Sequence, residues 1–210
     1  MIFSIFILLA ALAGYFIYYL ILKRRNDLIK LAAALGMVYR QKGCEPLDQR
    51  YPDLKSFEPL LGPCLEAEDI VDGKMEDCSV ELFNYGRGDS GCSACVLITP
   101  QRRGRLFICD TFNLQPRQRL GSDIDFESAK FSKRYFVRAD DKQFAYEVIT
   151  PQMMEFLLDY NGFKWQRWIE IEISGNNIAS IVGLRLNSEG YRSLYDFTWK
   201  FYQMMGGKRC

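Results

Sequence analysis

The sequence predicts an α+β protein in which an N-terminal transmembrane helix precedes a single domain with a mainly antiparallel sheet, packed helices and a long C-terminal helix. Three observations predict this arrangement. Residues 2–22 carry no charged side chain, the middle of the chain alternates apolar and polar residues, and its last third returns to helical spacing. Strands grouped in one region and helices in others are typical of the α+β class. We assign residues 1–25 to the anchor with its basic flank and residues 26–210 to the domain.

The charge-free segment 2–22 is long enough to cross a bilayer. At 1.5 Å per residue its 21 positions span about 30 Å, which is the thickness of the hydrocarbon layer. Three aromatic side chains suited to the membrane interface lie toward its end: Tyr15, Tyr18 and Tyr19. No basic residue precedes the segment, which argues against a cleaved signal peptide. We therefore predict a retained anchor.

The distribution of charge predicts that the domain lies in the cytoplasm. Three basic residues follow the apolar segment directly: Lys23, Arg24 and Arg25. Basic residues next to a span remain on the cytoplasmic side, so the bulk of the chain is expected there and the bilayer is an expected partner. The chain has seven cysteines, an odd number without a repeating pattern, which favours a reducing compartment.

Periodicity places the elements of the domain. Helical spacing continues from the anchor to Gly36, and a short helix is expected within residues 47–61. Period-two alternation predicts strands at 66–71, 76–85, 92–99, 105–110 and 135–138, with a hairpin turn at residues 72–73. A second hairpin is expected to turn at residues 175–177, with one face of residues 169–173 in water.

Two helices have recognisable ends. Thr150 followed by Pro151 predicts an N-cap and first turn, with the helix continuing through Leu157 and Leu158. Seven residues share one face of the C-terminal helix, which we expect to form a wall of the core: Tyr191, Leu194, Tyr195, Thr198, Phe201, Tyr202 and Met205.

Composition excludes several classes of function. The chain has no histidine, which excludes hydrolases and metal sites that depend on that residue. Its net charge of +1 gives no field that would attract nucleic acid, so no nucleic-acid partner is expected. Residues 86–91 match the spacing GxGxxG, but they lie between strands, whereas a dinucleotide site would open a helix. We interpret them as a hairpin connection and predict no cofactor.

Three groups of residues remain as candidate sites. Cys92 and Cys95 form a lone CxxC, which we interpret as buried structural residues because a zinc site would need a second pair. Three carboxylates share one side of an extended segment, where they would either bind a divalent metal ion or face solvent: Asp123, Asp125 and Glu127. Three arginines form a basic turn that would contact anionic lipid or remain an ordinary loop: Arg102, Arg103 and Arg105. Acidic residues between 66 and 81 are expected to face away from the bilayer.

Three segments resemble a group of uncharacterised prokaryotic proteins that have a hydrophobic N-terminus. These segments are DIDFES at residues 123–128, FSKRYFVR at 131–138 and FAYEVITPQMMEFLL at 144–158. The early segment LAAALGMVYR at 31–40 is also similar. The resemblance implies no known activity, cofactor or catalytic residue.

Taken together, these features predict a single-pass membrane protein, not an enzyme, whose cytosolic domain binds a protein partner or the membrane surface. Two alternatives remain open from the sequence. One is a membrane-tethered, metal-dependent enzyme that uses the carboxylates at 123–127. The other is a domain that binds a small apolar ligand between the sheet and the C-terminal helix.

Overall fold

A computed structural model describes residues 2–58, 65–87, 90–110, 122–160 and 168–206. The side chains of residues 2–6, 8, 87, 90, 102 and 122 lie outside the described set. The strands are β1 (Val38–Pro46), β2 (Glu66–Met75), β3 (Cys78–Arg87), β4 (Ser90–Asp110), β5 (Ser122–Asp123), β6 (Tyr135–Ala139) and β7 (Ile169–Val182). The helices are α1 (Ile2–Ala34), α2 (Leu47–Arg50), α3 (Ala129–Arg134), α4 (Lys142–Val148), α5 (Pro151–Asp159) and α6 (Ser188–Met204), with a 3₁₀ turn at Lys55–Phe57.

The seven described strands form one antiparallel sheet, which confirms the predicted α+β class. The strand order is β1-β2-β3-β4-β6-β5, and β7 pairs with β4. The first half of β4 lies between β3 and β7, and its second half lies between β6 and β7. The register of β4 against β7 shifts between Ile98 and Leu106, where the two halves join. A long central strand thus connects two parts of one sheet.

Both predicted hairpin turns differ from the structure. The β2–β3 hairpin exists, but Met75 pairs with Cys78, so the turn falls at residues 76–77. Gly73 remains within the strand, where a Cβ atom would lie 2.7 Å from Cγ of Met37. The predicted hairpin at residues 175–177 is wrong because β7 continues through it beside β4. Glycine-containing dipeptides indicate turns only when the partner strand does not continue alongside.

Both faces of the sheet are covered. The larger core lies against α1, α5 and α6, and contains Leu82, Leu97 and Ile171. The opposite face packs against α2 and the 3₁₀ turn through Tyr51, Phe57, Phe83 and other residues. The wet face expected at residues 169–173 is therefore wrong, since all five residues there are buried.

The predicted start of α5 and the predicted core face of α6 are confirmed. The Thr150 side chain accepts a hydrogen bond from the Met153 N–H, which caps α5. Of the seven residues predicted to share one face of the C-terminal helix, Met205 is partly buried. The other six are at most 4% exposed: Tyr191, Leu194, Tyr195, Thr198, Phe201 and Tyr202.

Helix α1 has two different halves. Its C-terminal half packs on the domain through Leu28 and Ala32, which are 0% and 2% exposed, and Gly36 follows it at φ +67°. Among the described residues, no helix combines the length and apolarity needed to cross a membrane. The predicted anchor begins in residues 2–6, whose side chains lie outside the described set. The anchor therefore stays a prediction.

Candidate interaction site where the N-terminal helix meets the domain

The N-terminal half of α1 exposes apolar surface all round. Its large described side chains are between 38% and 70% exposed: Ile7, Leu9, Leu12, Tyr15, Phe16, Ile17, Tyr18, Tyr19, Leu20, Ile21 and Leu22. The rest of the described chain adds only four large exposed apolar residues, which are Ile29, Val38, Tyr146 and Leu184. Contiguous apolar surface of this kind marks a site that binds a partner or a membrane.

The three residues of the basic flank, 23–25, have two different environments. The Arg24 guanidinium donates a hydrogen bond of 2.9 Å to the Leu186 carbonyl oxygen and lies 3.3 Å from the Asp69 carboxylate. Lys23 and Arg25 are exposed. Arg24 therefore attaches the helix to the domain, while its two neighbours remain accessible to an external anion.

Asp69 contacts residues of four elements where α1 meets the domain, a region that we call the junction. It has a φ of +53° where the β2–β3 register shifts, a conformation that aspartate adopts more readily than most residues. Its carboxylate accepts hydrogen bonds from the Tyr39 hydroxyl at 3.0 Å and the Asn84 amide at 3.3 Å. Its carbonyl accepts one from the Tyr191 hydroxyl at 3.0 Å. Asp69 thus connects α1, β1, β3 and α6.

The two tyrosines at the junction remain protonated at physiological pH. Burial, followed by the hydrogen bond to Asp69, raises the pKa of Tyr39 to about 12. Burial, followed by the negative charge of Asp69, raises the pKa of Tyr191 well above its ordinary value. Both hydroxyls are therefore available as hydrogen-bond donors to Asp69 across the physiological range.

The segment between β7 and α6 is fixed to the sheet beside Arg24. The Leu186 N–H donates to Ser93 Oγ at 2.9 Å, and the same Oγ lies 2.9 Å from the Leu184 carbonyl oxygen. Ser93 Oγ also lies 2.5 Å from Oδ1 of the buried Asn84. Residues 184–186 therefore have a defined position relative to α1.

One acidic residue of β2, Asp69, lies beside the basic flank. The prediction that the acidic residues between 66 and 81 face away from the bilayer stays a prediction. Asp69 contacts Arg24, Glu68 contacts Arg185, and Glu66 lies 3.7 Å from Lys42. The sequence showed the excess of acidic residues in this segment, but not that basic residues from α1, β1 and the segment between β7 and α6 contact them.

The structure does not bring the three candidate metal-binding carboxylates together. Asp123 lies 2.5 Å from Nε of Arg138, and the side chains of Asp125 and Glu127 are exposed. No group of three acidic, cysteine or histidine side chains suited to a metal ion occurs among the described residues. Asp123 on β5 thus pairs with a basic residue on β6.

The CxxC cysteines lie on opposite faces of the sheet. Positions three apart in a strand point in opposite directions. Cys92 accordingly belongs to the core that contains Tyr51 and Phe57, whereas Cys95 belongs to the core that contains Leu82. Burial raises the pKa of Cys95 to about 12. The two thiols cannot bind one metal ion or form a disulfide, which confirms their interpretation as buried core residues.

The glycine-rich segment connects two paired strands. Gly86 pairs with Gly91 and Arg87 with Ser90, which confirms a hairpin connection in place of a dinucleotide loop. Residues 88 and 89, which belong to this prediction, lie outside the described residues.

The predicted basic turn lies within β4, and two of its arginines contact the domain. The Arg103 guanidinium stacks on the Tyr202 ring at 5.5 Å. Arg105 donates a hydrogen bond of 3.3 Å to Ser174 and lies 3.9 Å from Asp140. The side chain of Arg102 lies outside the described set. A membrane-surface role of these arginines stays a prediction.

Sequence reasoning missed two buried glutamates on β7. Glu170 and Glu172 are 1% and 0% exposed. The Glu172 carboxylate accepts hydrogen bonds from the backbone N–H groups of Lys55 at 2.8 Å and Ser56 at 2.7 Å. Burial raises the pKa of Glu172, against the opposite effect of these hydrogen bonds. Alternating Ile and Glu gave no signal that a 3₁₀ turn covers the glutamate side.

The fold and the junction define a class of protein: an antiparallel α+β domain attached to an exposed apolar helix. A solved structure of this fold is the mycobacterial trehalose monomycolate transport factor A, TtfA, with a TM-score of 0.67 over 87% of this chain and 94% of that chain. The two sequences are 12% identical, so the likeness shows the fold alone. No protein-family model and no curated protein match the chain.

Proposed function

We propose that this protein is a membrane-anchored, non-enzymatic binding protein, with residues 2–22 in the bilayer and the domain in the cytoplasm. One observation carries the proposal. The apolar side chains from Ile7 to Leu22 are exposed, whereas Leu28 and Ala32 on the same helix are buried against the domain. A helix that is apolar all round needs an apolar environment, and a bilayer supplies one on every side.

The basic flank supports the cytoplasmic orientation. Lys23 and Arg25 are exposed directly after the apolar segment. Lysine and arginine within a few residues of a span are retained on the cytoplasmic side. Arg24 contributes to the same bias in charge and also binds the domain.

The junction supports a role in presenting the domain at a fixed position near the membrane. Arg24, Asp69 and Tyr191 join the helix to β2 and α6 without a flexible linker. The domain therefore has a constrained orientation relative to α1, which suits recognition of a protein partner or of the membrane surface itself.

The name of the similar structure favours a non-enzymatic role in this proposal. The similar structure is named as a transport factor, and we carry over to this chain only the proposal of a non-enzymatic factor. Because Asp123 is engaged by Arg138, the metal-dependent enzyme is the less favoured alternative.

Paired arginine substitutions test the proposed anchor. Leu9→Arg with Leu12→Arg places two charges in the span, each costing about 2.5–3.5 kcal/mol at the centre of a membrane helix. The matched control is Ile29→Arg with Val38→Arg, since both of these residues are exposed but lie outside residues 2–22. Membrane flotation at alkaline pH should release the first variant and retain the control. Equal retention of both variants would overturn the anchor.

A further inference from the structure

The segment 183–187 contacts the basic flank of α1 through the hydrogen bond between Arg24 and the Leu186 carbonyl oxygen. Resting on the proposed anchor, we propose that this segment is a second membrane contact, with Leu184 seated at the headgroup–acyl boundary of an anionic bilayer. The surface consists of Leu184, Lys23 and Arg25.

The position of the segment along the membrane normal follows from helix geometry. Arg24 is two residues past Leu22, or about 3 Å along the helix axis. Helical side chains tilt toward the N-terminus, which here is the membrane side. The headgroup layer extends about 5–7 Å beyond the hydrocarbon. The Leu186 carbonyl that Arg24 holds at 2.9 Å therefore lies at headgroup level.

Leu184 is the residue of this segment that faces outward with an apolar side chain. It is 39% exposed, whereas Leu186 is 6% exposed. Gly183 packs closely on the Trp168 ring, since a Cβ atom on this glycine would lie 2.5 Å from the ring. Ser93 holds the backbone on either side of Arg185. Leu184 is thus presented by a supported backbone.

The charges around Leu184 favour an anionic bilayer. Of the acidic groups near the segment, Glu68 is paired with Arg185, and Glu189 is exposed in the first turn of α6. Asp69 is paired with Arg24. Lys23 and Arg25 are exposed, and each basic residue near an anionic surface favours binding. The two exposed cations can therefore contact lipid phosphates while Leu184 meets the acyl boundary.

An environment-sensitive label tests this contact in the full-length protein. In a background of Cys44→Ser, Cys64→Ser and Cys210→Ser, the four remaining cysteines are buried at 4% exposure or less. A nitrobenzoxadiazole (NBD) label is then attached at Leu184→Cys, and the protein is reconstituted into vesicles of phosphatidylglycerol or of phosphatidylcholine. Leu12→Cys reports on the anchor, and Lys142→Cys, an exposed position on α4, serves as the aqueous control.

The inference predicts blue-shifted NBD emission at Leu184→Cys in phosphatidylglycerol, quenched by lipids that carry a shallow nitroxide, with a smaller shift in phosphatidylcholine. The Lys142→Cys label should give the aqueous spectrum in both. An aqueous spectrum at Leu184→Cys together with lipid-quenched Leu12→Cys would overturn the second contact and leave the anchor standing. Aqueous spectra at both positions would overturn the anchor as well. Equal shifts in the two lipids would contradict the anionic preference.

Discussion

Removal of the Glu172 carboxylate should weaken the attachment of the 3₁₀ turn to the sheet. Glu172→Ala leaves the Lys55 and Ser56 N–H groups without the acceptor that they now have at 2.8 and 2.7 Å. Each buried N–H that loses its acceptor costs about 1–3 kcal/mol. Because only the Ser56 bond is fully buried, we expect a total loss of about 2–4 kcal/mol in the free energy of unfolding.

The pH dependence of the same site has a definite sign. Burial raises the pKa of Glu172 in the folded chain above its ordinary value. Between the ordinary pKa of a glutamate and this raised pKa, the folded state holds the proton and the unfolded state does not. The free energy of unfolding therefore falls as pH rises through this window. The Glu172→Gln variant keeps one side-chain oxygen as an acceptor and carries no charge at any pH. The stability of the natural protein relative to Glu172→Gln should therefore fall as pH rises through this window.

Urea unfolding of the full chain in detergent micelles, followed by tryptophan fluorescence, measures both effects. Glu147→Gln is the matched control because Glu147 is exposed, and its change should stay within about 0.5 kcal/mol. A Glu172→Ala variant as stable as the natural protein would refute the role of the carboxylate. A gap that widens in favour of the natural protein with rising pH would refute the raised pKa.

Three further predictions concern the core and the junction. Phe201→Ala, at a side chain that is 0% exposed, should lower the free energy of unfolding by about 3–5 kcal/mol. Tyr146→Ala, at 52% exposure, should lower it far less. Equal losses by urea unfolding would contradict the core position of α6. The purified protein should contain no stoichiometric zinc bound by Cys92 and Cys95. Stoichiometric zinc that is lost in the Cys92→Ala, Cys95→Ala variant would contradict the position of these thiols on opposite faces of the sheet. Asp69→Ala should loosen α1 and accelerate amide hydrogen exchange around Arg24, and unchanged exchange there would contradict the junction.

The sequence predicted those features that depend on local pattern. The α6 face followed from spacing alone, and the α5 start followed from Thr150 and Pro151, because helical repeats and caps involve residues close in the chain. The continuity of β7 through Gly175 was missed since it depends on β4 alongside it. The burial of Glu172 was missed since its partners lie more than a hundred residues earlier in the chain. Long-range pairing determines both features.

The candidate site was predicted only in part. The apolar segment and its basic flank were visible in the sequence, but the separate role of Arg24 depends on Asp69 and Leu186, which are distant in the chain. The carboxylates at 123–127 were visible in the sequence as a group, but the structure pairs Asp123 with Arg138 and leaves Asp125 and Glu127 exposed. Sequence spacing indicates which side chains share a face. It does not indicate what lies opposite that face.

The measurement that tests the central claim most directly is the topology of the full-length chain. Green fluorescent protein and alkaline phosphatase are fused in turn after Cys210, with expression matched by immunoblot. Membrane-bound fluorescence with inactive alkaline phosphatase is the result that the proposed cytoplasmic, anchored domain predicts. Active alkaline phosphatase with a dark fluorescent fusion would contradict the orientation, and fluorescence recovered entirely in the soluble fraction would contradict the anchor.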